Sequence, residues 1–163
     1  MPNRLTASDY VSRSRGVATA NYMIITPENL VPNRLPFFDN IIVSPLMIPN
    51  VKGARFGQYL LQIESGGQTL RPQGIGFEHF FYHLSGEVAI HAGNHQYQLL
   101  EGSFVYLPET IPFQLRNVSG KTARLLWHKQ RFIKIEGLDE PNPIFGNRAD
   151  VERRETPVAG SWS

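Results

Sequence analysis

Residues 78–86 run Glu78-His79-Phe80-Phe81-Tyr82-His83-Leu84-Ser85-Gly86. In an extended chain successive side chains point to opposite faces, so His79, Phe81 and His83 share one face while Glu78, Phe80 and Tyr82 share the other. The run stops at a Ser-Gly pair, a turn signal. The same grammar fills the chain, and strands are predicted at 21–26, 41–47, 55–64, 77–84, 87–91, 96–100, 103–107, 113–117 and 123–135. Their links are turn-like: Ser65-Gly66-Gly67, Ser85-Gly86, Ala92-Gly93-Asn94, Glu101-Gly102 and Ser119-Gly120-Lys121. Twelve prolines and fourteen glycines punctuate these short runs, a pattern that favours an all-β sandwich or jelly roll. No segment carries a convincing 3.6-residue apolar repeat, although residues 7–15 have room for one or two helical turns.

Length and composition bound the answer. At 163 residues, 41% hydrophobic and 18% charged, the chain suits one folded domain with a sizeable core. It has no cysteine, which excludes disulfides and thiolate metal sites. The basic opening lacks an apolar signal-peptide core, and no apolar run approaches a bilayer span, so the expected setting is cytoplasmic with no membrane partner. A net charge of +2 without a concentrated basic face argues against a nucleic-acid partner. There is no nucleophile elbow, metalloprotease helix motif or phosphate-binding Walker loop.

From Gly67 to Asn117 the spacing resembles the two-part signature of a cupin, with Gly86, Gly102, Pro108 and Asn117 in place. The expected fold is therefore an all-β cupin-type double-stranded β-helix (jelly roll), as a single cupin. The metal ligands of that signature are missing. Where a cupin sets H-x-H-x-x-x-E, this chain has Gln73, Ile75 and His79, and Phe113 stands where the second motif supplies a last histidine.

His79 and His83 sit four apart on one strand, roughly 13 Å from each other, too far to share one metal; both are expected as hydrogen-bonded cavity or surface residues. Gln73, Glu78 and His79 are weak metal candidates of oxygen and nitrogen type, with Gln73 on a Gly-rich segment expected to be a solvated loop. His91 and His95 flank a hairpin turn and are expected to lie close together at the surface. Lys129 and Arg131 share a face of the last strand and could bind a substrate carboxylate, although an outward solvated face is the plainer expectation. With His79, Phe81, His83 and Phe113 they make up the candidate substrate-binding set. No catalytic residue is assigned.

The order of short motifs resembles the N-terminal half of (S)-ureidoglycine aminohydrolase, a bicupin once called glyoxylate-induced protein. The residues that carry this are Asn21-Tyr22, Thr26-Pro27, Leu30-Val31, Tyr59-Leu60, Gly66-Gly67, Gly76-Phe77-Glu78, Phe80, Tyr82, Ser85-Gly86, Glu101-Gly102, Tyr106, Pro108, Lys129, Arg131 and Glu136-Gly137. The resemblance implies a Mn²⁺-dependent step of allantoin and purine breakdown, releasing ammonia from (S)-ureidoglycine to give ureidoglycolate. It also implies that this half is the non-catalytic one, that the metal belongs to a second cupin domain or chain, and that no cofactor is held here.

On this reading residues 1–20 form an N-terminal arm, 21–137 the cupin barrel, and 138–163 a C-terminal extension or linker. A homo-oligomer is expected. The alternative is a free-standing, metal-free cupin that binds a small organic acid.

Overall fold

A computed structural model of the chain describes residues 16–19, 22–49 and 53–152. Predictions for residues 7–15, Asn21 and the last eleven residues fall outside that range. A short antiparallel pair, β1 (Val17–Ala18) and β2 (Met23–Ile24), precedes a 3-10 turn at Pro27–Asn29. Nine strands then form one curled antiparallel sheet: β3 (Phe38–Met47), β4 (Phe56–Thr69), β5 (Phe77–Ser85), β6 (Val88–Ala92), β7 (His95–Leu99), β8 (Ser103–Leu107), β9 (Phe113–Asn117), β10 (Ala123–Arg131) and β11 (Ile144–Asn147). The order is β11-β8-β5-β10-β4-β9-β6-β7, with β3 on the other side of β4.

Alternation does what it should. Ser103, Val105 and Leu107 of β8 are buried, as are Phe113, Leu115 and Asn117 of β9 and Ala123, Leu125 and Trp127 of β10. With Ile41, Val43, Leu61, Ile63, Phe81, Val88 and Ile90 the apolar members of these strands make one continuous core, which is what a sheet that buries one face requires.

Two segments depart from expectation. Ser65-Gly66-Gly67 is no turn; it lies inside β4. β3 pairs with both parts of β4, but on the other edge the partner changes from β10, as far as Ile63, to β9 at Gln68, so the strand bends there between two neighbours. Gly66 takes φ +74, and a Cβ on Gly67 would stand 2.6 Å from the Asn40 carbonyl. Opposite, the β3–β4 register shifts between Asp39 and Ile41, with Asn40 at φ 50. This is a bulged corner, where glycine is needed for close approach.

The second departure is at the C-terminal end, expected as an arm or linker without a core role. Residues 144–147 form β11, paired along β8 from Ile144↔Tyr106 to Asn147↔Ser103. The Asn147 side-chain amide donates to the Glu101 carbonyl at 3.0 Å, and the Arg148 amide donates to Gly102 O. Phe145 stacks on Tyr97 of β7 at 3.6 Å between ring centroids. The prolines at 141 and 143 concealed this strand because they sit just before it, where a first residue or edge tolerates them. β10 ends at Arg131, four residues before the predicted limit of 135.

Candidate functional site

β5 carries the inward face His79, Phe81 and His83, each no more than 2% exposed. Trp127 of β10 lies directly across from Phe81, their rings near-parallel at 6.1 Å. Phe113 of β9 meets Phe81 edge-on at 4.9 Å and His79 at 5.1 Å. The centre of the barrel is thus filled by aromatic rings. Phe81 and Phe113 form a packed floor and do not line the open cavity above them.

Hydrogen bonding fixes the state of His79. The Trp127 indole N–H donates to His79 Nδ1 at 3.1 Å, and His79 Nε2 lies 2.9 Å from the Gly74 carbonyl. An indole can only donate and a carbonyl can only accept. The ring is therefore neutral, with its proton on Nε2, and both nitrogens are engaged. Burial is the main cause that holds its pKa down to about 4, with the positive charge of Lys129 adding to the effect and the Gly74 carbonyl opposing it.

A stability prediction follows from that shift. The unfolded chain takes up this proton near pH 6.5, but the folded chain resists until about pH 4. Folding stability from His79 is then complete above the upper value, drains away as pH falls between the two, and is gone below the lower one. The expected loss is about 3 kcal/mol across that window. An NMR titration of the His79 ring is the direct check; a midpoint near the ordinary histidine value would refute it.

The other ligand-position residues are turned to different uses. Gln73 forms an isolated antiparallel bridge with Phe113 through paired backbone bonds of 2.9 Å, and its side-chain amide donates to Arg71 O. The segment expected as a solvated loop is therefore pinned, and it lies over His79. Ile75 is 64% exposed. Glu78 lies on the outer face of β5, where Tyr106 donates to it at 3.0 Å; burial, then this carboxylate, pushes the Tyr106 phenol up to about 12.

Gln73, Glu78 and His79 are thus not brought together, and among the described residues no three His, Asp or Glu side chains are placed to share an ion. The set Gln73, Glu78 and His79 does not fit Mn²⁺: its one imidazole is fully hydrogen-bonded, and Phe113 offers no donor.

His83 differs from its expectation as a hydrogen-bonded residue. It is wholly buried and neither ring nitrogen has a partner. Burial lowers its pKa, opposed by Glu101 and the nearby Leu100 backbone. His91 and His95 do not meet: His91 pairs with Gln96 and Ala92 with His95, so the two imidazoles leave opposite faces of the hairpin.

Lys129 corrects the expectation of a solvated face. It stands directly across from His79 and shares the inward face of Trp127. Its Nζ lies 4.6 Å from the Phe77 ring centroid and 5.5 Å from that of Trp127, and burial lowers its pKa. A cavity of about 320 Å³ opens here, lined by Lys129, His79, Trp127, Phe77, Phe38 and the Gln73–Ile75 segment, with Leu35–Phe37 at its edge. Arg131, two residues on, is exposed and is not among the residues that line the cavity. The Trp127–His79 bond was not legible beforehand, although an indole two positions from Lys129 on a strand, facing a histidine strand, was the available signal.

The cupin domain family matches residues 62–129, a span from within β4 to within β10 that holds His79, Phe81, His83, Phe113, Trp127 and Lys129. The chain is a cupin. Its relatives include the (S)-ureidoglycine aminohydrolase of Escherichia coli strain K12, 30% identical over 146 residues, which are 89% of this chain and 55% of that protein. A probable (S)-ureidoglycine aminohydrolase of Oryza sativa subsp. japonica is also 30% identical, over 88% of this cupin and 45% of its own length. The chain spans about half the length of the curated relatives it matches.

Among solved structures, the E. coli protein Ylba superposes with TM-score 0.78 at 27% identity, over 91% of this cupin and 61% of that chain. A glyoxylate-induced protein of Pseudomonas aeruginosa superposes with TM-score 0.72 at 22% identity, over 78% and 49%, and that likeness concerns the fold. No helix among the described residues is long and apolar enough to cross a membrane.

Proposed function

We propose that this cupin is the non-catalytic, N-terminal-type half of a ureidoglycine aminohydrolase, acting in the cytoplasm on the ureides of purine breakdown beside a second cupin that holds the metal and releases ammonia from (S)-ureidoglycine. The observation that carries the reading is coverage: similarity extends over 89% of this chain yet accounts for only 55% of the E. coli relative. The filled barrel supports it. His79 spends both nitrogens on Trp127 and Gly74, and Phe113 occupies the position of a fourth ligand. An interior packed in this way supplies rigidity to a neighbour, since interlocked aromatic rings deform little. No step of the hydrolysis is assigned to a residue of this chain.

The test is ammonia release from (S)-ureidoglycine by the purified chain after equilibration with Mn²⁺ and removal of unbound ion. The expected result is no release above the blank and far less than one metal per chain. Turnover by the chain alone, with one tightly held metal, would overturn the reading.

A further inference from the structure

Lys129 presents an unusual arrangement. Its ammonium is drawn into the barrel mouth between the faces of Phe77 and Trp127, and the residues lining that cavity include no carboxylate. Glu78 and Lys129 both line a second, adjoining cavity, but the Glu78 carboxylate there accepts from Tyr106. His79 is neutral and has no free donor or acceptor. Among the described residues, then, one cation stands in an apolar recess without an anionic partner. Ring faces compensate a cation in part, but a half-buried charge is best satisfied by a charge-assisted hydrogen bond. Apart from Gln73, whose amide N–H is given to Arg71 O, and the engaged His79, the wall is apolar: Phe38, Phe77, Trp127, Ile75 and Leu35.

We propose that the barrel mouth is a binding site for small monocarboxylates with an apolar or aromatic body, the carboxylate on Lys129 and the body between Phe77, Trp127 and Phe38. A single cation selects a single negative charge; a dicarboxylate would leave its second charge against the rings. The volume of about 320 Å³ admits a body the size of one phenyl ring with room for solvent at the rim. The inference goes beyond the role beside a second cupin and stands or falls separately from it, because ligand binding and ammonia release are read in different experiments.

The probe is benzoate, with benzamide as its uncharged counterpart, and the readout is the Trp127 indole N–H signal in NMR. Benzoate should shift that signal saturably with a Kd of about 1 mM or tighter. Benzamide should bind at least about 10-fold more weakly. Lys129→Met, whose unbranched side chain suits the apolar recess, should lose benzoate affinity by about 10-fold or more. Arg124→Met, an exposed position on the outer face of the same strand, should leave it unchanged. Equal binding of benzoate and benzamide by the unaltered chain would overturn the proposal, as would the absence of any saturable shift; both comparisons hold even if Lys129→Met does not fold.

Discussion

Asn117→Ala is expected to destabilise the fold by roughly 4 kcal/mol, among the largest losses available to a single side chain here. Asn117 is 2% exposed at the end of β9. Its amide nitrogen donates to Ile63 O at 2.7 Å, Glu64 O at 3.0 Å and Lys121 O at 2.8 Å. Its oxygen accepts from the Ser119 amide at 2.8 Å and from the Ser119 hydroxyl at 2.9 Å. One residue therefore ties β4, β9 and the turn into β10 together. Truncation strands several buried polar groups at once, each costing about 1–3 kcal/mol when left unpaired, with partial rescue by water. Asn117→Asp should do little better, since it keeps the acceptor but loses every donor. Urea unfolding at constant m reads the loss directly; a change below about 1 kcal/mol would show that the amide is not the tie it looks to be.

Gly74→Ala should cost about 4 kcal/mol, combining backbone strain with overpacking. Gly74 takes φ +102, and a Cβ there would stand 2.6 Å from His79 Nε2 and 2.9 Å and 3.0 Å from carbons of the Phe113 ring. The segment would have to lift away, breaking the bond from His79 to the Gly74 carbonyl and admitting water to the imidazole. Gly76→Ala is the control: φ is +85, but nothing lies within 4 Å of its would-be Cβ, so strain alone applies, about 1–2 kcal/mol. In Gly74→Ala the His79 pKa should rise toward its ordinary value, because water relieves the burial that depresses it. Similar losses in the two variants, with His79 unmoved, would mean that the contact with the imidazole does not matter.

These two positions show what the sequence made legible. The strands were readable wherever polar and apolar residues alternate strictly, as in β8 and β9, because a one-sided sheet imposes period two on its residues. The inward face of His79, Phe81 and His83 was readable for the same reason, whereas Asn117 was legible only as the last residue of the cupin spacing. The Gly66-Gly67 corner was not, because two glycines look alike whether they reverse a chain or let it bend beneath Asn40. β11 was hidden by its length, four residues after two prolines, and its place depends on the β8 edge and on Tyr97, partners far away in sequence. At the site, residue types revealed that the cupin ligands were absent, but not what replaced them. That Trp127 takes one nitrogen of His79 and Gly74 the other is a matter of tertiary geometry, and so is the inward turn of Lys129.

The strand order begins at β11 and ends at β7, and among the described residues no ladder joins these two ends. What bridges them is the stack of Phe145 on Tyr97, with the His95 ring beside it at 6.4 Å. A closure made by side chains can part without breaking a row of backbone bonds, so it opens at lower cost than the ladders elsewhere. The barrel therefore has a seam. Breathing motions should begin there, at the flank away from the Asn117 junction, with β11 peeling from β8 as a small cooperative unit while the aromatic centre stays shut.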